Sequence, residues 1–144
     1  MSAITTLSLI DGVQIVVPNS LDHITPYVLQ EQLDWFEEEV KFLRKLLRSG
    51  GRAIDIGANH GVYALCIAKI IGPTGRIWAF EPASSTSELL EKSIAANGFT
   101  QVELVRRALS SNSGSAQLSL NVNSELNALV HDLQSGNSSE TVQV

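Results

Sequence analysis

The stretch Ala53-Ile54-Asp55-Ile56-Gly57-Ala58-Asn59-His60-Gly61 constrains this chain more than any other. A short apolar run ends in a carboxylate, a glycine turn follows, and a second apolar run begins. The pattern predicts a buried parallel strand that passes through a tight loop into a helix, the first half of a nucleotide-binding βαβ unit. Without a Cβ, Gly57 can turn sharply and let a ligand reach the backbone, while Gly61 lets the helix start close to the strand. The unpaired N–H groups at that helix start favour a partner with negative charge or lone pairs.

The spacing narrows the ligand. The dinucleotide fingerprint is G-x-G-x-x-G, whereas this loop reads Asp-x-Gly-x-x-x-Gly with Asn59 where a middle glycine would stand. A carboxylate two residues before the first glycine repels a pyrophosphate. It suits a cationic or hydroxyl-rich ligand such as S-adenosylmethionine, which has an ammonium, a sulfonium and no phosphate.

The second strand is expected at Arg76-Ile77-Trp78-Ala79-Phe80 and ends in Glu81-Pro82. A carboxylate about 20 residues past the loop is placed to accept from both ribose hydroxyls. Pro82 forces the chain out of the sheet. Between them, Val62 to Ile71 reads as the crossover helix, stopped by Gly72-Pro73-Thr74-Gly75. Ser85-Thr86-Ser87-Glu88 has the form of a capping box opening a second helix, which Asn97-Gly98 closes. Val102-Glu103-Leu104-Val105 is the third strand. Arg107, Ala108 and Leu109, just past it, are candidates for an adenine pocket at the carboxyl edge of the sheet.

Ahead of this unit, Asp11-Gly12 between apolar runs predicts a two-residue hairpin turn, and the hairpin should pack on the core as a flank. Thr25-Pro26 reads as a helix cap and first turn. Leu29, Leu33, Phe36, Val40, Leu43 and Leu47 recur at spacings of four and three, predicting one helix over 27–48 with an i,i+4 pair of Glu37 and Lys41. After the third strand, Ala116 to Leu120 alternates like an edge strand. Glu125 to Leu133 reads as a short helix or loop, and the polar stretch 134–143 as mobile.

Bulk properties exclude several classes. The chain has 144 residues, 44% hydrophobic and 17% charged, consistent with one globular domain. A net charge of −5 leaves no basic footprint for nucleic acid. Cys66 is the single cysteine and reads as a buried helix residue. No apolar run approaches the roughly 18 residues of a membrane span, and the first residues lack a signal-peptide pattern. A cytoplasmic setting is the expectation. Neither His23 nor His131 has a visible ligand partner.

Taken together, Asp55 to Gly61, Phe80-Glu81-Pro82, Asn97-Gly98-Phe99 and Ala108-Leu109-Ser110 resemble the FkbM-type methyltransferase family. The likeness runs from the hairpin before residue 18 to about Leu129, including Ser124-Glu125-Leu126-Asn127-Ala128. It implies a Rossmann-like α/β fold of the class I methyltransferase kind and S-adenosyl-L-methionine as cofactor. It also implies methyl transfer to a small-molecule acceptor, an oxygen of a sugar or secondary metabolite. Asp55, Gly57 and Gly61 would line the methionine side, Glu81 would hold the ribose, and Ala108 and Leu109 would sit near the adenine. His60 stands where the family usually has an apolar or aromatic residue. With Ala58 and Asn59 of the loop, Pro82 and Arg107, these residues make up the candidate cofactor site.

The chain stops short of the family's fourth strand, and Glu140 to Val144 looks like the approach to it. The expected organisation is an N-terminal hairpin and helix over 1–50, a Rossmann-like core over 51–133 with an incomplete sheet, and a polar tail over 134–144. An unpaired first strand would leave an edge through which the chain dimerises, or a marginally stable fold. Two other readings stay open: a cofactor-binding fragment without turnover, and a nicotinamide-dependent oxidoreductase, which the absent dinucleotide fingerprint disfavours.

Overall fold

The structure, a computed structural model, describes residues 3–121, 123–130 and 138–144. His131 and the boundary expected between 133 and 134 lie outside the described residues.

Strands β1 (Ile4–Ser8) and β2 (Gln14–Pro18) form the expected antiparallel hairpin. Its turn is not the two-residue kind. The Leu9 and Gly12 N–H groups donate to Val13 O and Leu9 O, each at 2.8 Å, which makes a three-residue loop. Only Gly12 takes positive φ, at 81°. Asp11 keeps ordinary backbone angles and instead accepts the Val13 N–H on its side chain at 3.2 Å.

The single helix expected over 27–48 is two helices, α1 (Ile24–Gln32) and α2 (Glu38–Leu46). Leu33 enters the left-handed region (φ 53°) and ends α1. The intervening polar groups then find partners that a helix would deny them. Asp34 takes a bidentate grip from Arg44 at 2.6 and 2.8 Å. Glu37 accepts from Trp35 Nε1 at 2.8 Å and from the Tyr63 hydroxyl, so Lys41 pairs with Glu38 and not with Glu37. The apolar period runs across the break although Leu33 and Phe36, which belong to it, are exposed. Thr25 is not the cap of α1: His23 holds that place, and Thr25 is buried with its hydroxyl donating to Glu125.

The βαβ unit follows the sequence closely. Strands β3 (Arg52–Ile56), β4 (Arg76–Phe80) and β5 (Val102–Val105) are parallel, in the order β3-β4-β5. Helix α3 (Val62–Ile71) joins the first two, and α4 (Ser84–Asn97) the second and third. The capping box at Ser85 does not form. Helix α4 begins at Ser84 with Ala83 as cap and no side-chain capping bond from it. Carboxylates brought from elsewhere do that work: Ala83 N–H donates to Glu81 at 2.9 Å and Ser84 N–H to Glu140 at 2.8 Å.

Ile15 and Val17 of β2, Leu29 of α1, Leu65 and Ile71 of α3, Ile77 of β4 and Leu90 of α4 are fully buried in one cluster. The hairpin is held there by polar bonds as well. Val16 N–H donates to Ser93 Oγ, and the Asn97 side chain exchanges bonds with Gln14 N–H and C=O. The opposite face of the sheet is open, with Ile54 and Ile56 61% and 65% exposed. Among the described residues no strand pairs with the outer edge of β3. The sheet is thus incomplete in the way the sequence predicts.

The C-terminal part departs from expectation. Strand β6 (Ser115–Leu120) is not an edge strand of the parallel sheet. It is the centre of a separate antiparallel sheet between β7 (Ala128–Val130) and β8 (Ser138–Gln143). The segment expected to approach a fourth parallel strand is therefore antiparallel to β6, and Ser138–Gln143 is a strand and not part of a mobile tail. The reason is one-sidedness. Only Val142 of β8 is buried, against Leu118 and Ala83, so the rest of that strand reads as polar. Ala108 N–H donating to Gln143 O (3.0 Å) ties this sheet to the end of β5.

Candidate functional site

Past β3, Gly57 and Ala58 both donate N–H bonds to Phe80 O at 2.9 Å, which folds the loop over the end of β4. Gly57 (φ 74°) has nothing within 4 Å of where a Cβ would stand, so its outer side is open to a ligand. Asn59 also takes positive φ, 51°. Gly61 (φ 91°) caps α3 for a different reason from the one its position suggests. A Cβ there would lie 2.3 Å from Leu90 Cδ1, so this glycine is required by packing against α4 and not against the strand.

Glu81 leaves the end of β4 and is 6% exposed. One carboxylate oxygen accepts Asn59 N–H at 2.8 Å and the other Ala83 N–H at 2.9 Å. An ionised carboxylate offers about four lone-pair positions, so two remain for a ligand. Burial pushes its pKa up, opposed by the two amides and reinforced by Asp55 and Glu140. Asp55 is more strained electrostatically. Its Oδ2 is buried with no hydrogen-bond partner among the described residues, and burial raises its pKa to about 6 against the pull of the Ala64 amide. His60 is 3% exposed with Nδ1 unpartnered. Burial holds it neutral, its pKa lowered to about 4 although Glu125 lies near enough to pull upward.

Glu81 borders an open cleft of about 140 Å³. Gly57, Asn59, Glu81 and Pro82 form one wall. The other comes from the antiparallel sheet: Leu118, Ser124, Glu125 and Asn127. Ser124 Oγ donates to Asn59 Oδ1 at 2.8 Å and closes the two walls at one end. The second wall has no spacing signal in the sequence, because it is separated from the glycine loop by more than a whole βαβ unit. The one pointer is that Ser124 to Ala128 falls within the stretch of family resemblance.

Other candidates stand apart from this lining. Asp55, Ala58 and Gly61 are not among the residues that line the cleft. Arg107, Ala108 and Leu109 do not line the cleft; Arg107 N–H is spent on Val105 O and Ala108 N–H on Gln143 O. Among the described residues no basic side chain lines the cleft. Its chemistry is that of acceptors meeting a hydroxyl-rich or cationic ligand, and it repels phosphate. Among the described residues no three His, Cys, Asp or Glu side chains gather as a metal site. Among the described residues no helix is long and apolar enough to cross a membrane.

No family model matches the chain. Solved structures do resemble it. TYW2 of P. horikoshii, in complex with MeSAdo, superposes with TM-score 0.53 and 16% identity over 75% of this chain and 37% of its own. Trm5b of Pyrococcus abyssi gives 0.53 and 16% over 72% and 28%. A SAM-dependent O-methyltransferase of Thermotoga maritima gives 0.47 and 21% over 65% and 36%. The chain spans less than half the length of each of these structures. At such identities the likeness is one of fold: a Rossmann-like α/β unit of the class I methyltransferase kind, with an incomplete sheet.

Proposed function

We propose that the chain binds S-adenosylmethionine and belongs to an S-adenosylmethionine-dependent methyltransferase. The observation that carries this reading is Glu81, a buried carboxylate beside the open backbone of Gly57, with lone pairs to spare after its two amide bonds. Two ribose hydroxyls are donors that such a carboxylate can accept. The bound cofactor would supply a methyl group on a sulfonium. Glu81 would orient the ribose, Gly57 would let the ligand approach, and Asp55 would add negative potential below the loop. The likeness to MeSAdo-bound TYW2 in fold supports the same ligand class.

The finer reading rests on the resemblance to FkbM-type enzymes: methyl transfer to an oxygen of a sugar or secondary metabolite. The position of β3 at the open edge of the sheet favours a second reading, in which the chain holds cofactor without turnover. A nicotinamide dinucleotide is disfavoured by the acidic, phosphate-repelling cleft.

Calorimetric titration with S-adenosylhomocysteine, with NAD as control, tests the cofactor. The expected result is binding of the first alone. Glu81→Ala and Asp55→Ala should each weaken it in a chain that remains folded by circular dichroism. Normal binding by both variants would remove the assignment. Transfer of labelled methyl from S-adenosylmethionine to a panel of hydroxylated acceptors separates turnover from binding alone.

A further inference from the structure

The second wall of the cleft adds a property that the loop and Glu81 do not. Glu125 lines the cleft opposite Glu81, on the 3-10 turn Ser124–Leu126. One of its oxygens accepts from the hydroxyl of Thr25, a residue 3% exposed, so the carboxylate is fixed from behind by α1. The side chain of Asn123, which caps the same turn, also meets α1, accepting Ile24 N–H on Oδ1 at 3.2 Å. The other oxygen of Glu125 has no hydrogen-bond partner among the described residues. Among the described residues no basic side chain lines the cleft to neutralise the pair, and buried His60 is uncharged at neutral pH. A ligand in the cleft therefore lies between two carboxylates.

We propose that Glu125 is a specificity-determining residue that favours a cationic sulfonium over a neutral thioether, so that the cleft holds the methyl donor more tightly than its demethylated product. The inference rests on the S-adenosylmethionine reading and deepens it. An exposed carboxylate acting on a positive charge a few ångströms away contributes a modest, salt-sensitive preference. A selectivity of about three- to tenfold is expected at low ionic strength.

The test is paired calorimetry with S-adenosylmethionine and S-adenosylhomocysteine on the wild-type chain and on Glu125→Gln. The two ligands differ only in the methyl group and the charge on sulfur. The wild type should bind the sulfonium about three- to tenfold more tightly. In Glu125→Gln that ratio should fall towards one while affinity for the thioether stays within about twofold. Thr25→Val, which frees Glu125 without removing its charge, should give an intermediate ratio. Equal affinities in the wild type, or an undiminished ratio in Glu125→Gln, would overturn the proposal while leaving the cofactor reading standing. Failure of a folded chain to bind either ligand would overturn both.

Discussion

The backbone N–H of Asn59 donates to Glu81 Oε2 at 2.8 Å. This bond joins the loop after the first parallel strand to the tip of the second, so the two motifs most visible in the sequence meet as one unit. Glu81→Gln keeps the shape but places an amide nitrogen against either Asn59 N–H or Ala83 N–H. The expected cost is about 1–3 kcal/mol of stability, because one buried donor loses its acceptor. Affinity for S-adenosylhomocysteine should fall about tenfold or more. Urea denaturation and calorimetry read the two effects separately.

Between about pH 4 and 6 the contributions of Asp55 and His60 to stability should oppose each other, as two variants can expose. Asp55, raised from 3.8 to about 6, holds a proton in the folded state that the unfolded chain has lost, so it costs stability as pH rises through that window. His60, lowered from 6.5 to about 4, does the reverse: the unfolded chain takes the proton first, so stability falls as pH drops. Each effect amounts to about 3 kcal/mol over its range and the two oppose each other. Glu81, also raised, acts in the same sense as Asp55. Asp55→Asn should be more stable than the wild type at pH 7 and should lose stability steeply below pH 6. His60→Asn should show the opposite slope, losing stability as pH rises from 4 to 6. Thermal unfolding across this range would contradict the account if the wild-type and variant profiles ran parallel.

The two loop glycines should respond differently to alanine. At Gly61 the new methyl meets Leu90, which is itself fully buried, and the backbone is left-handed. A loss of about 2–4 kcal/mol is expected, enough to unfold a marginal domain. At Gly57 the methyl meets nothing in the chain, so only the positive φ counts, at about 1–2 kcal/mol. Gly57→Ala should therefore stay folded and lose ligand binding, since the methyl stands where the ligand approaches. Equal destabilisation of the two variants would contradict the packing argument.

The outer edge of β3, with Ile54 and Ile56 exposed beside it, should drive self-association. Sedimentation velocity should show a sedimentation coefficient that rises with protein concentration, and Ile54→Lys should abolish the rise. A wild-type chain that sediments as a monomer at all concentrations would show the edge to be protected.

Much of the nucleotide unit is legible in the sequence because its signals are local. The strands around Ile54, Ile77 and Leu104 are short apolar runs, α3 is bounded by Gly61 and Gly72, and the spacing of Gly57 and Glu81 brings both to one wall of the cleft. The break after Leu33 is hidden because a helical apolar period persists across it, while Leu33 turns left-handed and the Asp34 beyond it is held by Arg44, a residue ten positions on. The turn at Asp11-Gly12 has the right residues for a two-residue loop, yet Asp11 gains more from accepting Val13 N–H. Strand β8 hides its pairing because one buried valine is too little apolar signal. The wall formed by Ser124, Glu125 and Asn127 is illegible for a simpler reason: it reaches the glycine loop only through the fold, by the bond from Ser124 to Asn59.

The most direct test of the cofactor cleft is an amide-resolved NMR titration of the folded chain with S-adenosylhomocysteine. The account predicts saturable shifts at Gly57, Asn59, Gly61 and Ala83, with smaller ones at Ser124 and Glu125, and none at the hairpin turn around Asp11. A well-dispersed spectrum that does not change, or shifts that avoid the glycine loop, would contradict it.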